Sequence, residues 1–346
     1  MKTSPTSSSG IVRALISTST WLSRYTSLFI IAIAVFTFFN PSVFTWVQGD
    51  TQALLLGFIM LTMGMTLRPD DFRILASRPW DIFIGACAQY SIMPLLAWLL
   101  VSTFDLPKGV AVGLILVGCS PGGVSSNIMS FLCRGDLAYS VGMTTASTLL
   151  APFMTPTLVL LLAGESIDVD AWGMFRSILF VTILPVAIGA IANKLFQSRA
   201  GYGKICQIMP GFSVLGLACI VGGVTAAHGA SFIHSGSVIV VTVFLHNSLG
   251  YLLGFLLGKF FRMNSAKCRT LSIEVGMQNA GLATVLATKH FPLLPEAAIV
   301  SALCCVWHSI SGTLLAGLFN FIRHTFPSLS SPTHSKENSH VNSRTN

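Results

Sequence analysis

The sequence predicts an all-α membrane protein of ten transmembrane helices. Three observations predict it. Of 346 residues, 53% are hydrophobic and only 9% are charged, where a soluble domain carries about 25% charged residues. Apolar runs near the bilayer-spanning length of roughly 20 residues recur along nearly the whole chain. The basic residues then alternate between the two sides that those runs define. A soluble protein with several buried core helices does not produce ten such runs.

The runs lie at about 26–46, 51–67, 80–104, 109–133, 137–163, 172–197, 205–227, 235–261, 270–290 and 293–322. The first contains Pro41 and is the least regular. With the N-terminus in the cytoplasm, seventeen of the 20 Lys and Arg residues fall inside and only Lys108, Arg176 and Lys289 fall outside. Acids follow no such bias, as the positive-inside rule requires. The expectation is a multi-pass protein of the cell inner membrane with both termini cytoplasmic. The net charge of +8 is thereby a topology signal and calls for no nucleic acid. Residues 1–25, Ser/Thr-rich with Lys2, Arg13 and Arg24, are expected as a disordered tail, with a faint likeness to an organelle transit peptide. Residues 323–346 are expected as a second disordered tail. The eight cysteines form no CxxC or metal-ligand spacing and read as packing residues.

Five spans precede the loop around Glu165–Asp170 and five follow it. With an odd number per half, related halves would be inverted in the membrane, as in many secondary transporters. The third span, AQYSIMPLLAWLL (88–100), and the eighth, LHNSLGYLLGFLLG (245–258), match when Gln89 is set against His246. The fourth span breaks at Pro121-Gly122-Gly123 and then reads Ser125-Ser126-Asn127. The ninth carries Glu274, Gly276, Gln278-Asn279 and Gly281 at mid-membrane. Each half thus places a polar, glycine-bearing break in its own fourth span, the best sequence pointer to a transport site.

Charge narrows the chemistry. Of twelve acids, eleven lie in loops, tails or span ends, and only Glu274 lies deep in a span. No Lys or Arg lies deep enough to pair with it. A carboxylate there costs roughly 2.5–3.5 kcal/mol on insertion scales, so Glu274 either stays protonated and hydrogen-bonded or meets a cation in its working cycle. A proton needs only the carboxylate. Sodium, a hard ion, needs about five or six oxygens, and Gln89, Ser126, Asn127, Ser140, Thr144 and Gln278 supply them in the same few spans. Ser140 and Thr144 are i and i+4 on one helical face, and a break in the ninth span would free the carbonyls of Val275 and Met277. Membrane Ser and Thr also back-bond to their own helix, but the concentration of oxygens favours sodium over a proton.

CSPGGVSSNIMSFLCRGDLAYSVGMTTASTLLAPFMTP, RTLSIEVGMQNAGLATVLA and VWHSISGTLLAG together resemble the bile acid:sodium symporter family in its bacterial branch, over about residues 26–322. The resemblance implies a 26–322 transporter domain of ten helices in two inverted five-helix repeats. A core of spans 3–5 and 8–10 would pack against a panel of spans 1, 2, 6 and 7, with discontinuous, crossing helices 4 and 9. It implies one sodium site from Ser126, Asn127, Ser140, Thr144 and Glu274, and a second from Gln89, Glu274, Gln278 and the carbonyls of Val275 and Met277. Asn279 and His308 fall at substrate-contacting positions between core and panel. Val124 stands where related proteins often have Thr, and Ser309 follows His308 where Asn is usual. These departures point away from bile acids and toward small carboxylates such as pantoate or keto acids.

GCSPG (118–122) matches the G-x-S-x-G elbow of hydrolases, but it lies in an apolar helix rather than at a strand-to-helix turn. No metalloprotease, nucleotide or dinucleotide motif is present, so no enzyme and no cofactor beyond sodium as coupling ion is expected. A channel would favour rings contributed by several subunits. A membrane sensor would keep the same pocket without flux. The reading is a sodium-coupled symporter, working as a monomer, that imports a small organic anion by alternating access. A bile-acid-type or a proton-coupled carboxylate transporter is the alternative.

Overall fold

The computed structural model describes residues 8–67, 77–164 and 167–325. Among them the chain is helical and contains no strand. Its helices, in order, are α1 (Ser8–Arg24), α2 (Thr26–Phe39), α3 (Asp50–Thr66), α4 (Pro79–Phe104), α5 (Lys108–Gly118), α6 (Ser126–Leu132) and α7 (Leu137–Ala163). Then come α8 (Ala171–Phe196), which includes one π-helical turn at Leu179–Ile183, and α9 (Tyr202–Phe260), followed by α10 (Ser265–Gly276), α11 (Ala280–His290) and α12 (Pro295–Thr325).

Six stretches among the described residues are long and apolar enough to cross a membrane: α4, α7, α8, the Tyr202–Gly229 and Ser237–Phe260 parts of α9, and α12 up to Ile322. Counting Gly10–Arg24 and Thr26–Phe39 as one bent pair makes seven. The remaining expected spans are interrupted or short. α5 has 11 residues and α10 has 12, roughly 16–18 Å of helix, half a hydrocarbon core. Each is followed, across a break, by a second short helix.

Two expectations at the N-terminus need correction. Residues 8–24 are not a disordered tail; they form α1, which meets α2 at 81°. Their low hydropathy reads as disorder because the helix depends on packing against α9, not on its own composition. The first expected span is also shorter than 26–46. Pro41 cannot continue the helix, so α2 ends at Phe39 and Pro41–Val43 make a single 3₁₀ turn. At the other end α12 runs to Thr325. Residues 1–7 and 326–346 of the expected tails, and residues 68–76 and 165–166, lie outside the described residues.

Helix contacts follow membrane packing logic, in which small residues let backbones approach. The tightest case joins α3 to α8. A β-carbon on Gly64 would collide with the Val186 carbonyl, and one on Gly189 would collide with the Leu61 carbonyl. Asn193, one turn further along α8, donates to the Leu67 carbonyl at the end of α3. Buried Leu114, Leu116, Leu282, Leu286, Val300 and Cys304 join α5, α11 and α12 in an apolar core that also takes in Leu56 and Met60 of α3. Gly64→Val or Gly189→Val should therefore lose at least the 1–3 kcal/mol typical of overpacking, about that scale, visible as a lower unfolding temperature in detergent. Gly203→Ala, with nothing within 4 Å of the new methyl, should leave it unchanged.

Candidate functional site

The site begins with two helix breaks that need each other. Pro121 and two glycines end α5, and Gly276 ends α10, so both segments carry backbone groups with no helical partner. They pair across the gap. Gly123 N donates to Met277 O at 2.8 Å, and Asn279 N donates to Pro121 O at 2.8 Å. These bonds flank an antiparallel bridge between Gly122 and Gln278. Side chains of neighbouring helices satisfy further groups. Gln89 on α4 donates to Ser120 O at 3.3 Å, and Asn247 on α9 donates to Gly276 O at 2.8 Å. Thr155 donates to Cys119 O at 2.7 Å, and Gly122 N donates to Ser147 Oγ at 3.2 Å.

Glu274 lies on the last turn of α10 and is 1% exposed. Ser140 and Thr144, one turn apart on α7, both donate to it, one hydroxyl per carboxylate oxygen; the Thr144 contact is 2.8 Å. Ser140 Oγ also lies 2.8 Å from Asn127 Oδ1, and Thr144 Oγ1 lies 3.4 Å from Ser126 Oγ. Ser126, Asn127, Ser140, Thr144 and Glu274 thus converge as one all-oxygen cluster drawn from α6, α7 and α10. The ion pairs Arg78–Asp136 (2.9 Å) and Lys267–Asp81 (2.5 Å) lie at helix ends, not here.

The second expected group also assembles, in a different bonding state. Gln89 Nε2 donates to Gln278 Oε1 at 2.6 Å, and Gln278 Nε2 donates to Val275 O at 2.6 Å. The carbonyls of Val275 and Met277 were expected to be freed by the break. Both are engaged, one by the Gln278 amide and the other by Gly123 N. Each keeps a second lone pair.

Val124, Asn279, His308 and Ser309 all line one cavity of about 330 Å³, together with Asn127 and Gln278. Its far wall comes from Leu56, Met60 and Met63 of α3 and from Pro210, Ser213 and Leu217 of α9. Asn279 spends its Oδ1 capping α11 through Leu282 N, at 3.0 Å. His308 is buried, and neither of its ring nitrogens has a hydrogen-bond partner among the described residues. Buried polar groups are as a rule hydrogen-bonded, so His308 stands out among the residues of this wall. Ser309 back-bonds to Cys305 O at 3.1 Å. A larger cavity of about 420 Å³ between α2, α9 and α12 is apolar apart from Thr225 and His228 and lies elsewhere.

Asn247, Ser147, Thr155 and the Thr62–Ser213 hydroxyl pair (2.5 Å) escaped the sequence reading. Asn247 had a signal, since it follows His246 in a span otherwise rich in Leu. The others are single hydroxyls, indistinguishable in sequence from those that back-bond.

A family model described as the Sodium Bile acid symporter family matches residues 53–235. A Bacillus subtilis protein named an uncharacterized sodium-dependent transporter, YocS, is 44% identical over 289 residues, 84% of this chain and 88% of that one. An Arabidopsis thaliana chloroplastic protein named a probable sodium/metabolite cotransporter, BASS1, is 42% identical over 81% of this chain and 69% of its own. A rice chloroplastic protein named BASS2, with the same description, is 37% identical over 80% and 66%. Matched along more than half its length by the family model, and along most of it by relatives this similar, the chain belongs to the sodium bile acid symporter family.

Proposed function

We propose that this protein is a sodium-coupled symporter that imports a small organic anion by alternating access. The observation that carries the proposal is the buried Glu274 carboxylate, held by two hydroxyls of α7 that Ser126 and Asn127 of α6 back in turn, at a backbone crossing that forms one wall of a cavity. Carboxylate, amide and hydroxyl oxygens are the ligand set of a hard monovalent cation. A proton carrier would need the carboxylate but not Asn127 or Gln278.

In this reading Ser126, Asn127, Ser140, Thr144 and Glu274 hold one sodium ion. Gln89, Glu274, Gln278 and the carbonyls of Val275 and Met277 hold a second. The relatives' names support sodium as the coupling ion and leave the substrate open. Ten spans in two inverted repeats follow if α2 and α3 count as spans and α5–α6 and α10–α11 count as broken ones. The local two-fold pattern of the crossing supports that arrangement. Each break gives one N–H and one carbonyl to the other, and each has a carbonyl, Ser120 O just past α5 and Gly276 O at the end of α10, held by an amide from the third span of its own half.

Val124, Asn279, His308 and Ser309 would line the substrate pocket between a core of spans 3–5 and 8–10 and a panel of spans 1, 2, 6 and 7. The cavity includes Thr26 at the start of α2 and Thr66 at the end of α3, so it reaches toward the end of the molecule that carries Arg24 and Lys204. With basic residues cytoplasmic, that is the inward-facing side of the cycle. Its volume is at the small end of ligand pockets, which favours a small carboxylate such as pantoate or a keto acid over a bile salt. Two sodium ions and one carboxylate leave the site with one positive charge. A monovalent anion neutralises it, and transport then carries net positive charge inward. The inner membrane is the setting this activity requires, and one copy holds every residue named.

Glu274→Gln should abolish sodium-driven uptake in proteoliposomes while the protein stays monodisperse. Asn127→Ala and Gln278→Ala should each raise the sodium concentration for half-maximal uptake by roughly tenfold, the scale of a lost charge-assisted contact. Uptake that follows a pH gradient without sodium would replace sodium coupling by proton coupling.

The anion assignment has its own test. A labelled small acid such as pantoate should be displaced by other small carboxylates and not by its amide or by an organic cation. Apparent affinity should rise with sodium. Equal competition by the amide would sink the anion claim, and strong competition by taurocholate alone would restore bile acids.

A further inference from the structure

The helix α1 is accounted for by nothing in the transport reading. Stepping 100° per residue sorts its side chains into separate stripes. Val12, Ile16, Ser19 and Ser23 are buried or half-buried against the protein. Arg13, Ser17, Thr20 and Arg24 make a second, exposed stripe roughly a quarter turn round the helix from it. Ile11 (63% exposed) and Leu15 (46%) form an apolar flank, and Trp21 (55%) stands between that flank and the polar stripe. The helix contains two arginines and no acid. Its 81° bend from α2, an apolar helix of the membrane domain, sets it crosswise to that helix.

The protein-facing stripe is seated in an unusual way. Pro210 interrupts the hydrogen-bond ladder of α9, and Ser19 fills the gap. Gly211 N donates to Ser19 Oγ at 2.9 Å, and Ser19 Oγ lies 3.0 Å from Ile208 O and 3.1 Å from Gln207 O. A side chain inserted at a proline is a recognised cause of a kink. Gly211 is required there because a β-carbon would overlap Ser19. Pro210, Ser213, Val214 and Leu217 on the same stretch of α9 wall the 330 Å³ cavity.

We propose that α1 is an in-plane membrane anchor: its Ile11–Leu15 flank enters the acyl boundary, its arginine stripe binds anionic lipid headgroups, and Ser19 fastens it at Pro210 to the stretch of α9 that walls the cavity. Two features argue for a lipid surface as the occupant. A tryptophan between an apolar flank and a cationic stripe is the composition of interfacial helices. An arginine stripe without acids complements the negative charge of anionic phospholipids, which attract each nearby basic side chain measurably. The anchor is independent of what the transporter carries, so its test uses no transport assay.

The measurement is tryptophan fluorescence in nanodiscs of brominated lipid. The difference between wild type and Trp21→Phe isolates Trp21 from the other five tryptophans. Phosphatidylcholine brominated near the headgroup should quench that difference signal more than lipid brominated mid-chain. Ile11→Trp in the Trp21→Phe background reads the same helix from its apolar flank and should be quenched from deeper. In mixed discs, brominated phosphatidylglycerol should quench Trp21 several-fold more than brominated phosphatidylcholine at equal amount. Arg13→Gln with Arg24→Gln should remove that preference while the depth profile stays. Absence of quenching by any brominated lipid at both positions would place α1 in water and overturn the proposal. Quenching with no headgroup preference in wild type would overturn the anionic-lipid assignment.

Discussion

The architecture depends on one constraint: two broken helices must satisfy each other's backbone in a medium without water. An unpaired N–H or C=O in an apolar environment costs several kcal/mol, about 2–7 depending on the reference, and either break alone would expose several. Crossing them lets Gly123 and Asn279 donate into the opposite segment and leaves the remaining carbonyls within reach of Gln89, Asn247 and Thr155. α4, α7 and α9 are thereby tied to the crossing by polar groups that have nowhere else to go. The tie to α7 also holds the helix that carries Ser140 and Thr144 against Glu274.

The crossing is nearly symmetric in its backbone but not in its side chains. After the first break the chain continues as Ser126-Asn127, polar and facing the carboxylate. After the second it continues through Leu282 and Ala283, buried and apolar. One face of the crossing therefore carries the oxygen cluster and the other is ordinary core. Gly122 belongs to the same asymmetry. A β-carbon there would sit 3.2 Å from Glu274 Oε2, so the first glycine of the break leaves room beside the carboxylate for the hydroxyls of α7. Low dielectric around Glu274 makes each of those contacts stronger than it would be in water, and makes the loss of one more costly.

What was legible in the sequence follows from the same physics. Long apolar runs announce α4, α7, α8 and α12, because length and hydropathy alone decide them. The two breaks were visible because Pro121-Gly122-Gly123 and Gly276–Asn279 violate the local rules of a membrane helix, and such violations mark function. The i, i+4 spacing of Ser140 and Thr144 placed both on one face, and the lone deep acid gave them something to face. The partners that rescue the breaks were not legible. Asn247 reaches Gly276 across 29 residues and Thr155 reaches Cys119 across 36, and only the packed fold decides that they meet. α1 was invisible for the converse reason. Its composition resembles a disordered tail, and its order comes from Ser19 entering a ladder that Pro210 opened 191 residues away in the chain.

The hydrogen bonds around Glu274 also indicate how a coupling cation would act on the cavity. Ser140 and Thr144 now direct their protons at the carboxylate. A cation seated among the same oxygens would compete for the carboxylate lone pairs, and the hydroxyls would rotate to offer oxygen instead of hydrogen. Heavy atoms need move little for that exchange. Asn127, which shares the Ser140 hydroxyl at 2.8 Å, is the member of the cluster that also lines the cavity, with Val124 and Ser125 just before it on the crossing segment. Ordering of that segment by a cation would be felt directly at the cavity wall, through two or three covalently linked residues, with no longer pathway required. The cavity's opposite wall rests on α3 and on the stretch of α9 around Pro210 that α1 holds. One wall is thus tied to the oxygen cluster and the other to the peripheral helix, so a change at the first alters the space between them.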